Sequence, residues 1–244
     1  MNRVRIKLLL FFVLATLPPM LSAQEEEQSS ALTLRGYGLY DFHYATGATG
    51  GAAVMLDWQT APAFGLSLGV EYSSMNRISA NLQGEAVLVG SPKGKCLALR
   101  NRYLWRHYPS LDLQEFTGAL ELVGHLRHCD LNLGLCNRYM AALVQRTDGG
   151  RGTVLEPLNV MFALEGWWKD RTAAPAWNVG LRWSSYNDFV IERVANWFFS
   201  LKGFYTLSDR VWLTGEVGIH PVGSLNLTAS YDGWFCHLGL ATKL

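Results

Sequence analysis

A strict alternation of apolar and polar side chains is the feature that most restricts how this chain folds. It is clearest in the segment 211–231, where the odd positions are apolar or small. The even positions of that segment include Glu216, His220 and several hydroxyl residues. Successive side chains of a β-strand point to opposite faces of a sheet, so a period of two predicts a strand with one apolar face.

The same alternation recurs between turn signals from residue 32 to residue 243. Short joins such as 61–63 and 91–95 separate about 12 segments of this kind, with a range of 10–14. No segment of useful length shows a helical period. After residue 23 no apolar run reaches the roughly 20 residues that a transmembrane helix needs. The sequence therefore predicts one all-β domain of antiparallel, meandering strands.

Pro221 marks an interruption within the segment 211–231. A single strand of that length would extend about 70 Å, which is more than twice the thickness of a bilayer core. Proline cannot donate to the hydrogen-bond ladder and is found at strand edges and bulges. We therefore predict a spanning strand at 211–219 and an extended hairpin at 220–233.

The first 23 residues have the composition of an export signal. Basic residues within 1–7 precede the apolar stretch 8–21, and Leu-Ser-Ala at 21–23 offers a small-residue cleavage site. This order predicts a cleaved signal peptide at 1–23, rather than an uncleaved anchor, and a single mature domain at 24–244. The mature chain would carry 18 basic and 20 acidic residues, and this balance excludes a nucleic-acid partner.

The four cysteines do not follow a metal-binding spacing. An exported chain can form disulfides. The predicted strands put Cys96 and Cys129 near the same end of neighbouring strands, but out of register by several residues. The sequence leaves open whether they pair or stay as packed thiols. They are Cys96, Cys129, Cys136 and Cys236.

Two architectures produce such alternation, a soluble sandwich or lipocalin-like barrel and a membrane barrel whose apolar face points outward. Segments of roughly ten residues match the length of a tilted strand that crosses a bilayer. The final segment ends the chain as if it closed a ring against the first. Large aromatic residues lie on the apolar face, several near strand ends, where a membrane-interface girdle is expected. They are Trp58, Tyr72, Trp105, Trp168, Trp177, Trp197, Tyr205 and Trp234.

These features give the mature chain a resemblance to the small single-chain outer-membrane β-barrels of Gram-negative bacteria. The final strand, residues 234–244, departs from that class because it ends in Leu244 rather than in an aromatic residue. The resemblance implies a transmembrane antiparallel up-and-down barrel in the bacterial outer membrane, with both termini on the periplasmic side. It also implies contact with membrane lipid and lipopolysaccharide, and with the outer-membrane assembly machinery. It carries no substrate.

In such a barrel the polar face of each strand lines the lumen. The charged and imidazole side chains on that face carry both signs, and their predicted role is ion pairing or solute selectivity. We find no long loop or extra domain that would serve as a plug or constriction. The predicted lumen set is Arg35, Asp41, His43, Asp57, Glu71, Glu85, Arg100, Arg102, Arg106, Glu121, His125, Arg127, Arg138, Glu165, Arg182, Lys202, Glu216 and His220.

This lumen leaves several functions open. Ion pairs could fill it and make a largely closed structural barrel. A narrow porin-like pore could instead let its arginines select small polar or anionic solutes. The alternatives are a barrel enzyme that transfers or hydrolyses acyl groups of envelope lipids, and a surface adhesin or assembly factor. We identify no catalytic residues, no metal site and no cofactor site in the sequence.

Overall fold

A computed structural model describes residues 31–43, 47–74, 77–91, 94–145, 151–191, 197–222 and 230–244. The signal peptide predicted at 1–23 lies outside this range. Within the described part of the chain, no helix is both long and apolar enough to cross a membrane. The two helical segments that are described, Pro109–Leu111 and Arg171–Ala173, are single 3-10 turns.

The described strands form one antiparallel sheet that closes on itself. Neighbouring strands in the sequence pair with each other, except that the eighth and ninth strands both pair with the seventh, and the last strand pairs with the first from Thr33↔Lys243 to His43↔Gly233. The predicted up-and-down topology is therefore confirmed. The strands are β1 (Ala31–His43), β2 (Gly47–Ala61), β3 (Phe64–Ser73), β4 (Arg77–Gly90), β5 (Cys96–Tyr108), β6 (Leu113–His125), β7 (Cys129–Gln145), β8 (Arg151–Leu155), β9 (Asn159–Trp167), β10 (Trp177–Ser184), β11 (Phe198–Ser208), β12 (Val211–Val222) and β13 (Ser230–Lys243).

Twelve of these strands complete the ring, because β8 and β9 share one position in it. β9 pairs with the first half of β7, and β8 pairs with its second half. Glu156, Pro157 and Leu158 interrupt the ladder between them. Proline has no backbone N–H to donate, so the break falls where the sequence cannot continue the pairing.

Alternation along the strands separates an apolar outer surface from a polar lumen. In β7, Leu133 is 61% exposed, whereas its neighbour Asn132 is 5% exposed. An exposed fraction this high for leucine fits a surface that meets lipid, and the buried amide fits a lumen in which polar groups bond to one another.

The strand pairing also bears on the predicted interruption at Pro221. β12 pairs with β13 without a break as far as His220↔Gly233, and the register shifts between His220 and Pro221. Pairing resumes at Pro221↔Tyr231 and Val222↔Ser230. The register skips Asp232, so the extra residue at this shift lies on β13 beside the proline, and local pairing continues beyond it.

The predicted aromatic residues fall into two groups along the barrel axis. Trp58 of β2 pairs with Leu32 near the start of β1. Trp234 of β13 pairs with Phe42 near the end of β1. Residues 32 and 42 are about 33 Å apart along a strand, or roughly 25 Å along the axis at a tilt near 40°. This spacing matches the height of a lipid-facing band. We call the end with Ala31 and Lys243 the terminal end, and the opposite end the loop end.

Candidate functional site in the barrel lumen

Residues 185–191, the part of the connection after β10 that the structure describes, enter the lumen from the loop end, so the expectation that no loop constricts the barrel is wrong. Residues 185–191 form a small hairpin, which we call the lumen hairpin. Tyr186 and Ile191 form a β-bridge across it, and the Asn187 N–H donates to Val190 O at 2.8 Å. The side chain of Asn187 accepts from the Phe189 N–H at 2.8 Å. The hairpin is therefore held together by its own hydrogen bonds.

Apolar side chains attach the lumen hairpin to the barrel wall on two sides. Tyr186 and Ile191 pack into a cluster with Leu104, Ala119, Cys136, Met161 and Ala163 of β5, β6, β7 and β9. On another part of the wall, Phe189 packs against Ala53 and Met55 of β2. These inward apolar residues would otherwise face water, so their burial favours the docked hairpin.

Charged and amide side chains of the wall donate to the backbone carbonyls of the hairpin. Arg106 donates twice to Phe189 O, at 3.1 and 2.9 Å. Arg138 donates to Ile191 O at 2.6 Å, and Arg182 donates to Tyr186 O at 2.9 Å. Asn81 donates to Asp188 O. Hydrogen bonds from charged donors stabilise by about 1.5–3 kcal/mol each, so the backbone of the hairpin is firmly anchored.

Tyr186 occupies the centre of this attachment and is 1% exposed. Its ring lies 4.3 Å from the guanidinium of Arg102 and 5.2 Å from that of Arg182. Its hydroxyl forms a hydrogen bond with the side-chain amide of Asn132. Arginine over an aromatic face is attractive by about 0.5–2 kcal/mol, which adds to the burial of the ring.

Between the lumen hairpin and the terminal end lies a cavity of about 440 Å³. Six Arg or Lys side chains and four Asp or Glu side chains line it, together with His125 and His237. The cations are Arg35, Arg100, Arg102, Arg171, Arg182 and Lys202, and the acids are Asp130, Glu165, Asp188 and Glu216. The groups that a solute in this cavity would contact are therefore more often cationic than anionic.

The wall cations are held in place by carboxylates, several of which lie behind them. Arg35 forms two bonds with Asp57, at 2.5 and 2.7 Å. Arg100 lies 2.5 Å from Glu85, and Arg102 donates to Glu121 at 2.8 Å. These pairs fix the guanidinium groups and moderate their charge.

The same pattern holds on the other side of the cavity. Lys202 lies 2.5 Å from Glu165, and Arg171 donates to Asp130 at 2.5 and 2.7 Å. Arg182 lies farther from its acids, at 4.0 Å from Glu165 and 3.8 Å from Glu216.

Asp188, at the tip of the lumen hairpin, is the least tightly paired acid of the cavity. Its Oδ2 lies 3.9 Å from Nη1 of Arg35, and its side chain is 42% exposed. Enclosure within the barrel acts to raise the pKa of Asp188, but nearby cations outweigh that effect and hold its pKa below the ordinary value. Those cations are Arg35, Arg102, Arg182 and Lys202.

The predicted lumen residues separate into groups by position. Those that line the cavity are Arg35, Arg100, Arg102, His125, Glu165, Arg182, Lys202 and Glu216. Asp57, Glu85 and Glu121 pair with the cavity arginines, whereas Arg106 and Arg138 hold the lumen hairpin. Asp41, His43, Glu71 and His220 lie towards the loop end. Their role in solute selectivity stays a prediction.

Arg127 departs from this pattern. β6 ends at His125, so Arg127 lies in the following turn, where its side chain is 66% exposed and 3.9 Å from Asp170. The alternation of apolar and polar residues in the sequence therefore continues two residues beyond the end of β6. The four cysteines, whose pairing the sequence left open, are all free thiols.

The histidines bear on the alternative of a lipid-modifying enzyme. His125 lies between Asp130, at 2.8 Å, and Glu85, at 3.0 Å, on the lumen side of the wall. His43 and His220 stack with ring centroids 5.0 Å apart. His107, on the outer face, stacks with Trp105 at 6.0 Å. None of the four histidine contacts just named is with a serine hydroxyl, the partner that acyl transfer by a serine nucleophile needs.

The lumen hairpin was missed from the sequence although a signal for it exists. Residues 185–196 form a long join between predicted strands, and it contains Tyr186, Phe189, Val190 and Ile191. Large apolar residues are unfavourable in a loop that is surrounded by water. Their presence in a long join between two barrel strands is consistent with a loop that packs inside the lumen.

Comparisons with known proteins agree with the fold. No protein-family model matches the chain, and no curated protein matches its sequence. An outer membrane channel from Pseudomonas putida F1 is similar in structure at 9% identity, with a TM-score of 0.54 over 92% of this chain and 100% of that one. The KdgM porin is similar at 10% identity, with a TM-score of 0.50 over 87% of this chain and 99% of that one.

The KdgM porin has also been solved in complex with disordered oligogalacturonate, and that structure has a TM-score of 0.50 at 11% identity. At these identities the similarity concerns the fold. The chain is a small single-chain antiparallel β-barrel with twelve strands in its ring, and it shares this fold with these outer-membrane proteins.

Proposed function

We propose that this protein is a narrow outer-membrane pore for small polar and anionic solutes, constricted by the lumen hairpin. The observation that carries the proposal is the cavity of about 440 Å³, in which cationic side chains outnumber acidic ones. A cavity of this volume is large enough for a small organic solute. The fold it shares with the KdgM porin and the Pseudomonas channel is consistent with a transport role.

The arginines supply the preference for anions. Guanidinium and ammonium groups at the cavity surface attract an anion that has lost part of its hydration shell. The carboxylates paired with these groups reduce the field, so the preference for anions should be moderate. With both termini in the periplasm, the cavity would face the periplasm and the lumen hairpin would enter from outside. Membrane lipid and lipopolysaccharide would surround the apolar face, and the outer-membrane assembly machinery would insert the barrel.

A largely closed structural barrel is the second candidate, and a specific observation favours it. The lumen hairpin is anchored by charged hydrogen bonds and by two apolar contacts, which resist its movement. If the space around it is too narrow for hydrated ions, the cavity has no continuous path. The two candidates share the same fold and differ in permeability.

A proteoliposome swelling assay distinguishes the two candidates. Refolded protein should admit glucuronate faster than glucose. Glucuronate carries a negatively charged carboxylate where glucose carries a neutral hydroxymethyl group. The Lys202→Met variant should reduce that preference, since it removes a cation of the cavity wall. The Lys243→Met variant is the matched control, because Lys243 lies exposed at the end of β13. No swelling with either solute would indicate a closed barrel and overturn the proposal.

A further inference from the structure

The weak pairing of Asp188 is unusual within this lumen. Five acids approach a cavity cation to 2.5–2.8 Å, namely Asp57, Glu85, Glu121, Asp130 and Glu165. Glu216 lies 3.8 Å from Arg182, but its carboxylate also accepts a hydrogen bond from Ser200 at 2.5 Å. Among the described residues, the carboxylate of Asp188 has a single ion-pair contact, at 3.9 Å from Arg35. It is nevertheless surrounded by positive charge. We call Arg35, Arg102, Arg182 and Lys202 the lumen cation cluster.

A second observation concerns Arg182 of this cluster. Its side chain is 10% exposed and lines the cavity. Its Nε is buried and has no hydrogen-bond partner among the described residues. A buried donor without an acceptor costs about 1–3 kcal/mol, and an oxygen atom brought to this position would remove that cost.

On the premise of the function proposed above, we propose that the lumen cation cluster is a binding site for a solute carboxylate, occupied in the empty barrel by the carboxylate of Asp188. Asp188 has the same charged group as such a solute, it faces the cavity, and the contact that holds it is long. A solute carboxylate that enters the cavity therefore competes with Asp188 for the same cations.

The exchange needs only a side-chain movement. The backbone carbonyl of Asp188 accepts from Asn81, and the carbonyl of Phe189 accepts two bonds from Arg106, so the tip of the hairpin stays anchored. Rotation of the Asp188 side chain about its own bonds would clear the site, since no hydrogen bond from the described part of the chain holds the carboxylate. Asp188 is then a tethered counter-anion, which keeps the cluster neutralised when no solute is present and lowers its affinity for any single anion.

The chemistry of the site defines the ligand. The cluster offers planar guanidinium groups suited to a carboxylate, and the rest of the lining supplies polar and aromatic groups such as Ser67, Gln83, Trp167 and Thr214. A hydroxylated monocarboxylate of monosaccharide size fits both features. Glucuronate is a suitable probe, and glucose is its neutral counterpart.

Calorimetric titration of the refolded protein with glucuronate tests the site directly. The Asp188→Asn variant removes the competing charge with little change in shape, and it should bind glucuronate about tenfold more tightly, or about 1.4 kcal/mol. That factor applies if Asp188 occupies the cluster for about 90% of the time. Glucose affinity should stay unchanged. Asp112→Asn is the control, because Asp112 lies exposed in the β5–β6 connection and its substitution alters net charge equally.

Each outcome has a defined meaning. Equal or weaker glucuronate binding by Asp188→Asn, or equal tightening by Asp112→Asn, would overturn the proposal. Heat-modifiable migration on gels confirms that each barrel is folded, and Asp188→Ala provides a second variant that should also bind more tightly. Swelling assays separate the two proposals. If Asp188→Asn binds glucuronate more tightly but the barrel admits no solute, the pore is refuted and the carboxylate site is supported. If the barrel admits solute but Asp188→Asn does not change the glucuronate affinity, the carboxylate site alone is refuted.

Discussion

Replacement of Tyr186 by alanine should release the lumen hairpin while leaving the barrel wall intact. The ring is 1% exposed, and truncation of a buried aromatic side chain costs about 3–5 kcal/mol. Its contacts with Arg102 and Arg182 add about 0.5–2 kcal/mol. The wall should be spared, because its strands are joined by backbone ladders that do not involve the hairpin.

The consequence of that change can be estimated. A loss of about 3 kcal/mol raises the undocked fraction of the hairpin by somewhat more than a hundredfold. Hydrogen exchange should therefore show faster exchange in residues 185–191, with unchanged protection in the strands. Single-channel conductance should rise, because the constriction is removed from the lumen.

Two controls sharpen this prediction. Tyr72→Ala removes a lipid-facing tyrosine that is 56% exposed, so it should not alter exchange in the hairpin. Tyr186→Phe loses only the hydroxyl bond to Asn132 and should weaken docking by about 1 kcal/mol. If Tyr186→Ala leaves both the exchange of the hairpin and the conductance at wild-type values, the hairpin does not constrict the lumen by the contacts described.

Three further substitutions test other parts of the structure. Arg106→Gln removes the charged donor of two bonds to Phe189 O and should speed exchange of the hairpin amides roughly tenfold or more, whereas Arg127→Gln, in an exposed turn, should have no effect on that exchange. Glu121→Gln leaves Arg102 buried without its partner and should lower the free energy of unfolding by about 3–5 kcal/mol in urea titrations; a change below about 1 kcal/mol would contradict this role. Leu68→Arg, on the outer face midway along β3, should cost about 2–4 kcal/mol in lipid vesicles, compared with about 0–1 kcal/mol for Trp168→Arg near the interface. Equal costs at these two positions would argue against a lipid-facing belt.

Most of the fold could be predicted because a closed barrel repeats one local rule. In β7, the contrast between Leu133 and Asn132 follows from the period of two alone, and the same rule orients the residues of every other strand. Strand number followed from counting these segments. The pairing of β13 with β1 was expected because a barrel has no free edge.

The interior was less predictable because it depends on contacts between residues far apart in the chain. Arg106 and Arg138 were expected to line the lumen as ion-pairing or selectivity residues, and the sequence did not indicate that they also donate to the carbonyls of the lumen hairpin. No periodicity marks residues 185–191, since their conformation follows from packing against β2, β5, β6, β7 and β9. The pairing of Arg100 with Glu85, by contrast, could be predicted, because the two residues lie on neighbouring strands and on the same face.

The central claim is that the lumen conducts small anions past the hairpin. The reversal potential of single channels in a planar bilayer, recorded across a potassium chloride gradient, tests it most directly. Wild-type protein should give small, stable steps with a reversal potential shifted moderately towards that of chloride, because cations predominate in the lining of the cavity. Absence of any steps, or a reversal potential shifted towards that of potassium, would contradict the account.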